Sequence, residues 1–163
     1  MKIENLKDLL VHELKDLYSA ETQILEALPK MAEAAHSQEL KKAFNDHLEE
    51  TKGQKKRLEE IFKHFDYKPG GQKCDAAEGL IEEGEEIIEE LDKGELRDAA
   101  LIGAAQRVEH YEMAGYGTAR TFAEVLGLSE VQRLLQETLD QEGEANKLLT
   151  ELSQKLNRQA ASV

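Results

Sequence analysis

Five glutamates and a histidine occupy positions where a helical chain should be packing apolar side chains. In the stretch Gln106-Arg107-Val108-Glu109-His110-Tyr111-Glu112 two carboxylates stand three residues apart, a spacing that puts Glu109 and Glu112 on one helical face. The apolar line Leu101, Ala105, Val108, Gly115, Ala119, Phe122, Leu126 runs through position 112, so Glu112 interrupts a core-facing stripe. The same happens elsewhere: Glu21 lies between Leu17 and Ile24, His47 and Glu50 between Phe44 and Leu58, and Glu142 between Leu139 and Leu149. An ionised carboxylate removed from water loses several kcal/mol, so it must pair, take up a proton or bind a cation. Glu21 and Glu50 are 29 residues apart and Glu112 and Glu142 are 30 apart, and an amide follows four residues after each second acid, Gln54 and Asn146. Two helical hairpins facing each other would bring these acids to one level, where mutual repulsion is most simply compensated by a pair of divalent cations.

Each residue also has a plainer reading. A single acid on a buried stripe is more often paired with a nearby base or slipped toward solvent, and it is the matching level of all five that favours metal. His47 is either a ligand or a core histidine bonded to a carboxylate, and Gln54 and Asn146 suit holding ligands in place better than binding metal directly. His110 lies off the face of Glu109, and His12, His36 and His64 read as surface residues. Tyr18 and Tyr111 read as packing residues with a redox role as the alternative. Cys74 reads as a packed thiol, with an intermolecular disulfide as the alternative.

The elements that must position these residues are helices. The 163-residue chain has 34% charged residues, 5% aromatics, two prolines and no Trp, a composition that favours an all-α domain. Periodicity predicts four long helices, at about 3–35, 38–65, 95–126 and 129–157, and a shorter one at about 75–91 in the crossover between the second and third. Pro29 should bend the first helix. Ser37 should cap the second, and Gly127 should stop the third long helix. Ser129 with Gln132 should form a capping box, Gly103, Gly115 and Gly117 should mark close helix approach, and residues 158–163 should fray beyond a single domain spanning 1–157. Residues 75–95 hold ten acids and one base, a run that reads as a solvated face.

A net charge of −13 argues against nucleic acid or an anionic membrane surface as partner and permits cation binding. The single cysteine suits a reducing compartment, and the charged start has neither the apolar run of a signal peptide nor that of a membrane span, so a cytoplasmic location is expected.

The stretches His47-Leu48-Glu49-Glu50-Thr51-Lys52-Gly53-Gln54, Gly79-Leu80-Ile81-Glu82-Glu83, Arg97-Asp98-Ala99-Ala100-Leu101-Ile102 and Val108-Glu109-His110-Tyr111-Glu112 resemble the bacterial YciF/YciE stress-response family. That resemblance implies a ferritin-like, rubrerythrin-related four-helix bundle, a cytoplasmic homodimer and a carboxylate-bridged di-iron centre. On it, Glu21 is the first-helix ligand, Glu50 and Glu142 are bridging acids, and Glu109 with Glu112 are the paired acids of the third long helix. The chain departs from the ferritin-like Glu-x-x-His pattern, with Gly53 and Ala145 at the two histidine positions. The donor set is then almost all oxygen, which weakens preference for iron over manganese or magnesium. The expected function is a stress protein binding two metal ions, iron first, that reacts with oxygen or peroxide in the manner of a di-iron oxidase or peroxidase. The alternative is a non-catalytic helical protein acting through a protein partner, with metal structural or absent.

Overall fold

The computed structural model describes all 163 residues and is entirely helical: α1 (Leu6–Ala34), α2 (Gln38–Phe62), α3 (Asp75–Glu90), α4 (Glu95–Val125) and α5 (Ser129–Ala160). α1 packs chiefly on α2 and α4 chiefly on α5, the two hairpins meet through α1 against α4 and α2 against α5, and α3 lies across α1 and α4. This is the expected ring of four long helices with a shorter crossover helix. No helix is long and apolar enough to cross a membrane.

The helix ends follow local chemistry, with a few departures from the expected bounds. α1 begins three residues later than its periodicity suggests because the Asn5 side chain accepts from the Asp8 amide at 2.9 Å, which leaves Ile3 outside the helix and exposed. It continues through Pro29 without a break. Ser37 caps α2 as expected, through the Leu40 amide at 3.4 Å. α2 stops at Phe62 and finishes in a tightened turn, with Lys63, His64 and Phe65 amides reaching carbonyls three residues back. α4 closes with the Leu128 amide on Ala123 oxygen (2.9 Å) and the Gly127 amide on Glu124 oxygen (3.1 Å), a Schellman pair that requires the φ of +70° at Gly127.

That closure removes the expected capping box. Leu128 takes the N-cap place of α5 with no side-chain bond, and its carbonyl accepts from the Gln132 amide, so Ser129 is already the first helical residue. At the other end α5 runs on through Ala160, with Leu156 and Ala160 buried, so the helix extends past the point where fraying was expected.

Of the three α4 glycines expected at close approaches, only Gly115 serves one. A methyl group there would stand 2.7 Å from Leu17 Cδ2 of α1, whereas at Gly117 it would meet nothing within 4 Å and at Gly103 only the Arg107 side chain of the same helix. The Arg97-Asp98 pair ties the bundle ends together. Arg97 donates to the α3 carbonyls of Ile88 (2.9 Å) and Leu91 (2.8 Å), and Asp98, 1% exposed, accepts both amides of the α1–α2 turn, His36 and Ser37, at 2.7 Å.

Two outcomes test this packing. Gly117→Ala should stabilise by about 1 kcal/mol through helix propensity and raise Tm by roughly 2–4 °C, while Gly115→Ala should show no such gain because the clash with Leu17 offsets it. Asp98→Ala strands two amides and should cost about 2 kcal/mol or more in urea unfolding, with an unchanged midpoint counting against the contact.

Candidate metal centre

The long helices carry two apolar cores, not one. One core contains Ile24, Leu28, Leu40, Phe44, Leu101, Ala105 and Leu149, and the other contains Leu10, Leu14, Leu17, Leu58, Ile61, Tyr116, Ala119 and Leu135. Between them each helix contributes one layer of polar residues: Glu21 from α1, His47, Thr51 and Gln54 from α2, Glu109 and Glu112 from α4, and Thr138 and Glu142 from α5, all buried. The helical repeat of each stripe continues on both sides of that layer, which is why the polar residues point inward.

His47, Glu109, Glu112 and Glu142 each offer a ligand atom, and these atoms lie within 4.8 Å of one another. His47 Nε2 is 2.9 Å from Glu109 Oε1 and 3.9 Å from Glu142 Oε2. The close contact lies off the ring N–H direction, so Nε2 has no hydrogen-bond partner despite the short distance. Both oxygens of Glu112 and of Glu142, Oε2 of Glu109 and Oε2 of Glu21 are likewise buried without a partner. Buried polar atoms are almost always satisfied, so acceptors concentrated in one layer call for shared protons between the carboxyls or for a cation. An oxygen-rich donor set with one imidazole fits divalent cations.

Glu21 is fully buried and is held by Tyr116, which donates to its Oε1 at 2.5 Å. Tyr116 escapes a reading of the sequence because a tyrosine at a helical core position looks like packing. The one available signal is its place four residues after Glu112 on the same face.

The other expected residues are placed differently. Glu50 was expected on the buried line, but its side chain is 43% exposed and it meets only His47, Oε2 to Nδ1 at 3.4 Å. A quarter turn separates it from the inward face that His47, Thr51 and Gln54 fill. Gln54 is buried, yet it donates to Gln141 at 3.3 Å and not to a carboxylate, in a cluster where Arg57 bonds Thr138 (2.6 Å) and Gln141 (3.1 Å). Asn146 Oδ1 is buried and unpartnered. Gly53 faces open space, so an imidazole on that position would leave the bundle, and Ala145 lies beside the centre at a cavity wall. Tyr18 donates to Glu59 at 3.1 Å. Tyr111 donates to Asp16 beside Cys74, whose buried thiol is 3.1 Å from the Tyr111 hydroxyl and accepts from the Ala77 amide at the start of α3. His110 stays at the surface.

Charge in the layer is settled by burial first. Burial pushes the Glu21 carboxyl up to about 7, and burial together with the other three acids pushes Glu112 well above the usual carboxylate range. Glu142 is raised too, by burial and by its contact with Glu109. Burial opposes a charged imidazole at His47, but Glu109, Glu50 and Glu142 outweigh it and raise His47 well above its ordinary value. Burial also works against ionised Glu109, and its contacts with Glu142 and His47 overcome that and lower it. Without metal the layer is therefore a His47–Glu109 ion pair surrounded by protonated acids.

These directions predict how the metal-free protein responds to pH. Between the ordinary carboxylate value of 4.5 and about 7 the folded state holds protons on Glu21, Glu112 and Glu142 that the unfolded chain has released, so stability falls as pH rises. The stability from protonated His47 is complete below about 6.5 and is also lost on raising pH, so the signs agree. Thermal unfolding of metal-free protein should show Tm dropping by roughly 5–10 °C between pH 5 and pH 7.5, and Glu112→Gln should flatten the slope. A profile that rises over this range would sink the assignment.

Residues 5–162 match the family described as Domain of unknown function (DUF892). Protein YciF of Escherichia coli strain K12 is 47% identical over 154 residues, covering 94% of this chain and 93% of that protein. The crystal structure of the E. coli stress protein YciF superposes with a TM-score of 0.92 at 46% identity, covering 96% of this chain and 99% of that one. YcfI from Rhodopseudomonas palustris gives 0.87 at 45% identity over 91% of this chain and 95% of that one. A protein from Xanthomonas campestris pv. campestris gives 0.77 at 21% identity over 97% of each chain, a likeness of fold alone. With its fold and nearly its whole length in agreement, the chain belongs to the DUF892 family, the family of the stress protein YciF.

Proposed function

We propose that this protein is a ferritin-like metal protein of the stress response, holding two divalent cations, iron first among them, in the polar layer of its bundle and reacting there with oxygen or peroxide. The observation that carries the reading is the gathering of buried carboxyl oxygens from Glu21, Glu109, Glu112 and Glu142, with no lysine or arginine to pair them, around the imidazole of His47. The description of the E. coli relative as a stress protein supports the physiological setting.

Glu109, Glu112, Glu142 and His47 are the residues in place to hold the cations, with Glu21 completing the set from α1. Glu50 stands at the outer edge, within reach of His47. A redox-active metal pair in this layer would supply electrons to a small oxidant. The chain's own residues do the rest. Tyr116 fixes the Glu21 carboxylate, and the two apolar cores exclude water from both ends of the layer. Glu112, Glu142 and Glu21 must give up their protons to become ligands, so cation uptake releases protons and tightens as pH rises. Binding also offsets the burial and the mutual repulsion that raise those acids, so metal should stabilise the fold by mass action.

Elemental analysis of protein produced in iron-supplemented medium should find about two iron ions per chain, and Glu112→Gln should lose at least one of them while keeping its helical circular dichroism. Protein reloaded with ferrous iron should then consume oxygen or peroxide at least tenfold faster than Glu112→Gln. Metal near zero in a folded protein would overturn the reading and turn attention to the acidic face of α3 as a protein-binding surface.

A further inference from the structure

Between α2 and α5 a cavity of about 310 Å³ leads from the surface down to the polar layer. Its floor is apolar, with Leu28, Phe44, Ala105 and Leu149 all buried. Its inner end is polar, lined by the side chains of His47 and Glu109, 8% and 3% exposed. Its mouth is acidic, with exposed Asp46, Glu50, Glu144 and Glu151: Lys42 pairs with Asp46 and Glu50 meets His47, which leaves Glu144 and Glu151 beside the Lys147 ammonium. Ala145, whose side chain stops at Cβ, is part of its α5 wall.

A passage for hydrated metal ions would need the acids but gain nothing from the apolar floor, and an apolar hollow of this size is a typical ligand pocket. A 150 Å³ apolar cavity accepts benzene, so this one has room for about ten to twelve non-hydrogen atoms. We infer that the cavity is a binding site for a small organic amine, with its ammonium at the acidic mouth, its apolar body on Phe44 and Leu149, and a hydrogen-bond donor at its far end meeting the Glu109 carboxylate. The site deepens the proposed metal reading, since it opens onto two of the same residues, and it would place an organic substrate beside the centre.

Tyramine has these three parts and is the probe. Calorimetric titration of the metal-free full-length protein with tyramine should give a Kd of about 0.1–1 mM. Tyrosol, which lacks the charge, 4-hydroxyphenylacetate, which reverses it, and 2-phenylethylamine, which lacks the far donor, should each bind at least about fivefold more weakly. Ala145→Leu, which fills the hollow, should abolish binding, and the exposed Glu144→Gln, which cannot disturb the core, should weaken tyramine about threefold without changing tyrosol. Equal affinity for all four compounds, no binding at 10 mM tyramine on the scale of those constants, or tyramine binding that survives Ala145→Leu would each overturn the inference. Because the titration uses metal-free protein, its outcome is separate from the iron analysis: a protein without iron can still bind tyramine, and an iron protein can fail to.

Discussion

Burying several carboxylates in one layer of a helical bundle is the constraint from which the remaining structure follows. Glu21, Glu109, Glu112 and Glu142 are each within a few per cent of complete burial, and no lysine or arginine reaches them. The only base in the layer is His47, which neutralises one acid and leaves the others to be protonated or to take up a cation. Both cores must then cover the two ends of the layer, which is open at its side along the cavity between α2 and α5. Leu10, Leu14, Leu17 and Leu135 on one side and Ile24, Leu40, Leu101 and Leu149 on the other supply that burial.

α4 carries most of the consequences. It presents two acids and Tyr116 to the layer, approaches α1 closely at Gly115, and at its start anchors α3 through Arg97 and the α1–α2 turn through Asp98. The Arg97-Asp98 stretch therefore has a structural use, satisfying backbone groups at helix ends, while the Glu109-to-Glu112 stretch places two carboxyls in the polar layer.

The departures from the ferritin-like pattern now have physical content. Gly53 faces outward, so nothing at that position could reach the layer, and the one imidazole comes from His47, six residues earlier on α2 and on its inner face. On α5 the small side chain of Ala145 lines the hollow that ends at that same imidazole.

Much of this was legible in the residues. The interrupted apolar stripes located Glu21, His47, Glu109, Glu112 and Glu142 on inward faces, and periodicity with Ser37 and Gly127 located the helices to within a few residues. Periodicity resolves a helix face only to about a third of its circumference, so it could not separate His47 from Glu50, one of which points in and the other out. It also could not see Tyr116 bonding Glu21 across 95 positions, the thiol of Cys74 capping α3 beside Tyr111, or the Schellman closure displacing the Ser129 cap. Stripe residues are set by each helix's own repeat, which the sequence contains in full. Partners across helices depend on the rotation and axial offset of one helix against another, and those are decided only when the two cores pack.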